Sequence, residues 1–151
     1  MMTKVPIKYV PKRLSRRDKK KQKKMLKKSR KLYKKKKYFT RKKVKSFKSK
    51  VSPHIKKSLK IYKLKKFSVN QELAKKTGCS LTGLRKIVKK GQGAYYSSGS
   101  RPNQTGHSWG YARLASSISG GKAAAVDFNI LEKYCKKGSK ALRLAKRSRK
   151  K

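Results

Sequence analysis

The chain has 151 residues, 50 of them Lys or Arg against four Asp or Glu, for a formal charge of +46. That length has room for one modest domain, and with 34% hydrophobic against 36% charged residues the chain as a whole is short of core. Four acids leave few candidates for general acid–base chemistry. His54, His107, Cys79 and Cys135 lack any paired metal-ligand spacing, so no metal, no cofactor, no catalytic residue and no small-molecule substrate is expected. No apolar run approaches the roughly 18–20 residues of a membrane span, and MMTKVPIKYVPKRL has no hydrophobic segment of the kind a cleaved export peptide carries. Two cysteines are too few for a disulfide framework, which favours a reducing compartment.

The charge is segregated. Residues 1–67 hold 31 of the 50 basic residues and one acid, Asp18, a net +30, whereas residues 91–132 are close to neutral. The sequence therefore divides into a polybasic arm (1–67), a compact helical module (68–138) and a basic tail (139–151), mainly α in class. Alone in water, so positive an arm is expected to be disordered.

In chain order, Pro6 and Pro11 push residues 1–14 toward extended geometry. Ser15, with Asp18 three positions on, opens a helix near 16–37 whose apolar residues Met25, Leu26, Leu32 and Tyr33 form one narrow stripe on a cationic rod. Like charges at i,i+4 oppose that helix, so it needs a partner to form fully. Residues 38–53 read as an extended arm with Val44, Phe47 and Val51 as isolated anchors. Residues 54–67 fit a helix or a strand. The cations expected to meet a polyanion are Lys19, Lys20, Lys21, Lys23, Lys24, Lys34, Lys35, Lys36, Lys37, Arg41, Lys42 and Lys43. Lys outnumbers Arg 39 to 11, which suits diffuse charge neutralisation better than bidentate base reading.

The module is expected to hold about four short helices. Ser68 with Gln71 opens the first, and Gly78 stops it; Ser80 opens the second, which ends at Gly91. QELAKKTGCSLTGLRKIV has the spacing of a DNA-binding helix-turn-helix, and a plain helical hairpin fits it too. In the first case Thr82, Arg85, Lys86, Lys89 and Lys90 are the nucleic-acid contacts, with Gly83 a poor reading residue. A Gly/Ser-rich loop follows, in which Tyr95 and Tyr96 pack on Trp109 and Arg101 is a turn residue; stacking of these aromatics on unpaired bases is the alternative. A third helix runs from Ser108 to Ser119 and carries Arg113, which can stack on an aromatic ring or pair with Asp127. Asp127 caps the fourth helix.

The run KKGQGAYYSSGSRPNQTGHSWGYARLASSISGGKAAAVDFNIL resembles a small domain of unassigned function found in large double-stranded DNA viruses of algae and protists. Gly91, Gly93, Ala94, Tyr95, residues 100–102, Ser108, Trp109, Ala112, Arg113, residues 121–123 and Asp127 carry the resemblance. It implies viral origin and no catalytic residues. With the basic flanks it implies a minor capsid protein of the virion, made in host cytoplasm or nucleus, whose partners are acidic surfaces of other capsid proteins, the anionic inner membrane or nucleic acid. A DNA-condensing protein is the second expectation, and a ribosomal protein the third.

Overall fold

The computed structural model describes residues 8–48 and 52–149. The described residues form eight helices: α1 (Arg16–Lys34), α2 (Pro53–Ile61), α3 (Gln71–Thr77), α4 (Leu81–Ser97), α5 (Gly106–Ile118), α6 (Lys122–Val126), α7 (Phe128–Tyr134) and α8 (Lys140–Arg149). The mainly α class is as the sequence led us to expect. They belong to two compact units, Met1–Lys50 with Gln92–Trp109, and Val51–Gly91 with Gly110–Lys151. This partition differs from an arm, a module and a tail, because residues 92–109 give the arm its packing partner and the tail has apolar residues of its own to bury.

In the first unit, α1 starts at the expected cap, where the Ser15 hydroxyl accepts from the Asp18 amide at 3.2 Å. Gln22, Met25, Leu26 and Ser29 recur at i, i+3, i+4 and i+7 and are all buried. Met25 joins Leu14 and Val44 in a small core on which Val10, Phe39 and Phe47 pack. The partner this helix needs comes from its own chain. Pro11 begins a turn, closed by the Leu14 amide on its carbonyl at 3.2 Å, where extended chain was expected. The expectations for Val5, Pro6 and Val51 lie outside the described residues. Residues 38–48 are not helical, as expected, but they are fastened: Asn103 accepts from the Val44 amide at 2.7 Å and donates to the Phe47 carbonyl at 2.8 Å.

In the second unit the core gathers Tyr62, Phe67, Leu73, Leu84, Ile87, Leu114, Ile118, Phe128, Leu131 and Leu142. Asn70 caps α3, its side chain accepting from the Leu73 amide at 3.0 Å, in place of the expected Ser68. Gly78 ends α3 at φ +78°, a left-handed value that disfavours side chains. α4 does not stop at Gly91. A Cβ at Gly91 would stand 2.6 Å from the Gly110 Cα, so this glycine permits close approach of α4 and α5. The region expected to be a basic tail contains α8, whose Ala141, Leu142 and Ala145 are fully or nearly buried. Cys79 and Cys135, expected to be reduced, form a disulfide. Backbone bonds flank it, from the Ser80 amide to the Tyr134 carbonyl and from the Lys136 amide to the Gly78 carbonyl, each 2.9 Å.

Candidate polyanion-binding surfaces

Because α1 turns its buried stripe inward, its remaining faces carry cations. Lys20, Lys21, Lys23, Lys24, Lys27, Lys28, Lys31 and Lys34 are exposed, and Lys19 is half-buried. With 19 residues the helix is about 28 Å long. Asp18, the sole acid of residues 1–67, is engaged elsewhere: its carboxylate accepts from the Ser46 amide at 2.8 Å and from the Ser46 hydroxyl. Those bonds, the hydroxyl first, hold the Asp18 carboxyl below the usual carboxylate range. None of the ion pairs among the described residues involves residues 8–48. Within α1 only Asp18, in the first turn, opposes the lysines, so the charge is largely unbalanced and is presented on a fixed rod.

Past α1, Lys35, Lys36, Lys37, Lys42 and Lys43 are exposed, as expected of polyanion contacts. Arg41 is the exception, at 6% exposure. Its guanidinium donates to Ser29 Oγ at 2.8 Å, to the Tyr95 carbonyl at 2.9 Å and to Ser100 Oγ at 2.8 Å. It also lies 3.8 Å from the centroid of the Tyr95 ring. The Arg41 amide donates to the Tyr95 hydroxyl at 2.9 Å, which donates in turn to the Gln104 carbonyl at 3.0 Å. Burial pulls the Arg41 guanidinium down from its ordinary value, and the same cause raises the Tyr95 phenol. Arg41 organises the first unit and is removed from the set of polyanion contacts.

This network also accounts for the Gly/Ser-rich segment. Ser100 is buried, and its hydroxyl accepts from Arg41 and donates to the Arg101 carbonyl, each at 2.8 Å. Tyr95 is fully buried and cannot stack on a base. Trp109 meets Tyr9, edge-on at 6.2 Å, where Tyr95 and Tyr96 were expected. Arg101 is exposed. Ser108 caps the start of α5 reciprocally with Thr105: the Ser108 amide donates to Thr105 Oγ1 at 3.1 Å, and the Thr105 amide to Ser108 Oγ at 2.9 Å.

In the second unit, α3, Gly78 and α4 make the hairpin that the helix-turn-helix spacing suggested. Thr82, Arg85, Lys86 and Lys89 are all exposed at i, i+3, i+4 and i+7, forming one polar row along α4. Gly83 faces inward; a Cβ there would stand 2.3 Å from Tyr134 Cβ. Lys90 is exposed and lies 3.6 Å from Asp127. Arg113 takes the partner that the sequence offered, with Nε and Nη2 donating to the two Asp127 oxygens at 3.0 and 2.8 Å. That fork raises the Arg113 guanidinium pKa, and the Ser117 hydroxyl completes the fully buried carboxylate at 2.9 Å. Asp127 occupies the position before α7 but makes no side-chain cap bond. Among the described residues no cluster of His, Cys, Asp or Glu could hold a metal ion.

Residues 6–142 match a family of unknown function, DUF5824. The chain belongs to that family. The match extends well beyond the run of residues 89–131 whose resemblance was read from sequence: it takes in α1, Arg41 and the first three residues of α8, 140–142. In DUF5824 terms the basic arm is part of the domain, which agrees with its packing in the first unit. No curated protein and no solved structure matches the chain.

Two further features of these surfaces were not legible in the sequence. The Asn103 clamp has φ +64°, a value Asn tolerates better than most residues, and SRPNQ was legible as a turn without revealing what the side chain would hold. The exposure of Tyr33 and Tyr38 was hidden by the lysines around them: Tyr33 reads as one member of a narrow apolar stripe, and Tyr38 as the start of an extended arm.

Proposed function

We propose that this DUF5824 chain is a non-enzymatic structural protein that works by binding polyanions, and that it does so as a minor capsid protein of a large double-stranded DNA virus. The observation that carries the first part is α1: a folded helix with exposed lysines on its remaining faces and a single acid, Asp18, whose carboxylate is bonded to Ser46. A rod of fixed charge gains most from a partner of opposite sign, such as an acidic face of another capsid protein or an anionic inner membrane leaflet. Placement in a virion is supported by the resemblance of residues 89–131. Purified particles disrupted without denaturant test the placement, since a capsid protein sediments with the emptied shell. Recovery solely with the released genome would remove it from the shell.

The second reading is a DNA-packaging protein, favoured by the row Thr82, Arg85, Lys86 and Lys89 on the second helix of a helix-turn-helix-like hairpin. That reading expects Arg85→Glu to weaken duplex binding several-fold, an effect that neutralising an acidic protein face would not share.

A further inference from the structure

Where α1 ends, the chain closes on itself before turning away. The Lys36 amide donates to the Tyr33 carbonyl and the Lys37 amide to the Leu32 carbonyl, each at 2.9 Å, with Lys36 at φ +61°. This is the double hydrogen-bonded helix stop that glycine commonly serves, here built from lysine. It fixes Tyr38 four residues past the helix. Tyr38 is 71% exposed, and its ring has two aromatic neighbours, Tyr33 at 6.2 Å and Tyr96 at 5.0 Å between centroids. Tyr96 is in turn set edge-on against buried Tyr95 at 4.9 Å. Tyr38 is thus an aromatic face presented to solvent from a closed turn, backed by a ring that is itself anchored. Lys34, Lys35, Lys36 and Lys37 are all exposed around it.

We propose that this patch is a binding site for single-stranded nucleic acid, in which an unpaired base stacks on Tyr38 and the lysines of the turn hold the flanking phosphates. The proposal rests on the polyanion-binding reading above and assigns one such polyanion to one place. Each part of the site answers one part of the ligand. Four lysines select a polyanion, and the exposed ring selects one that also offers flat apolar surface. Duplex DNA keeps its base faces inside the stack and would leave Tyr38 uncovered. A carboxylate-lined protein surface would engage the lysines and gain nothing from the ring. Tilts of 51° and 50° to Tyr33 and Tyr96 mean that neither neighbour is stacked parallel on Tyr38, and the residue stays largely exposed.

The test uses the full chain and four probes at about 150 mM salt, where surface charge is screened beyond ~8 Å: labelled oligo(dT), a duplex of the same length, inorganic polyphosphate, and vesicles containing anionic phosphatidylserine. Tyr38→Ala is expected to weaken oligo(dT) binding about five- to hundredfold, the range seen when a base-stacking aromatic is truncated. Polyphosphate, duplex and vesicle binding should be unchanged, and Tyr38→Phe, which keeps the ring, should restore oligo(dT) affinity. Unchanged oligo(dT) binding by Tyr38→Ala overturns this site and leaves the polyanion reading standing. An equal loss for all four probes also overturns it, because the substitution then acts on charge presentation; an equal loss confined to oligo(dT) and vesicles assigns the ring to a headgroup contact instead. If the unaltered chain binds none of the four, both readings fall together.

Discussion

Arg41 is a buried cation with no carboxylate beside it, held by two hydroxyls, one carbonyl and the face of a tyrosine. Neutral acceptors alone repay only part of the cost of desolvating a charge, so the fork geometry and the ring contact matter. Lysine keeps the charge but has neither the planar fork nor the stacking face. Arg41→Lys should therefore destabilise the first unit by about 2 kcal/mol, and Arg41→Ala by about 3 kcal/mol, since truncation also takes a donor from the Tyr95 carbonyl and from the Ser29 and Ser100 hydroxyls, which keep only their own bonds to carbonyls. Chemical denaturation followed by circular dichroism measures both; a neutral Arg41→Lys would show that the fork is not what holds the loop. Asp18 offers a second residue-scale check. Folding lowers its carboxyl, so its contribution is fully present above the ordinary value near pH 4 and is lost as pH falls through the folded value. Stability should thus decline below about pH 4, and Asp18→Asn should flatten that part of the profile. Neither role could be read in advance. Arg41 sits in the string RKK, and nothing local distinguishes the cation that turns inward from the two that face water.

Helix starts and stops were the most legible elements, because their causes lie within a few residues. Ser15 with Asp18 and the left-handed Gly78 did what their spacing indicated. Gly91 misled for a physical reason: the same absence of a Cβ that ends a helix also lets two helices touch, and the choice depends on Gly110, nineteen positions away. Gly93, two residues on, has no atom within 4 Å of a built Cβ. The two positions should respond oppositely to alanine. Gly91→Ala drives a methyl into the Gly110 backbone and should cost about 1–3 kcal/mol, whereas Gly93→Ala should stabilise α4 by about 0.5–1 kcal/mol. Melting temperatures moving in the same direction would contradict the close-approach account. α8 was missed because charge masked its short apolar residues, Ala141, Leu142 and Ala145. The disulfide was missed because 56 residues separate its cysteines, a distance over which the sequence shows no pairing signal. Closing a loop that long restricts the unfolded chain, so reduction or Cys79→Ser should lower the stability of the second unit by roughly 3–4 kcal/mol.

At the scale of the whole chain, the unbalanced charge sets two opposite dependences on salt. Lysines at i,i+4 along α1 repel one another, each pair opposing the helix by a few tenths of a kcal/mol until ions screen it. Few favourable ion pairs offset this, and in the Arg113–Asp127 pair the carboxylate is fully buried, which limits its screening by added ions. Raising NaCl from about 0.05 to about 0.5 M should therefore raise the melting temperature, since screening removes more repulsion than attraction. Binding should respond the other way. If six to ten lysines each displace a counterion from a duplex, log K falls against log salt with a slope of about −5 to −9. Near 0.05 M salt a polyanion should itself stabilise the fold, because it binds the folded surface and replaces diffuse ions with fixed counter-charge. The decisive measurement is a melt at several salt concentrations with and without polyphosphate. Stabilisation by polyphosphate should be large at low salt and fade as the salt-only melting temperature climbs. A melting temperature that instead falls with added salt would mean that attraction dominates within the fold, and the exposed lysines of α1 would then have internal partners and no need of an external one.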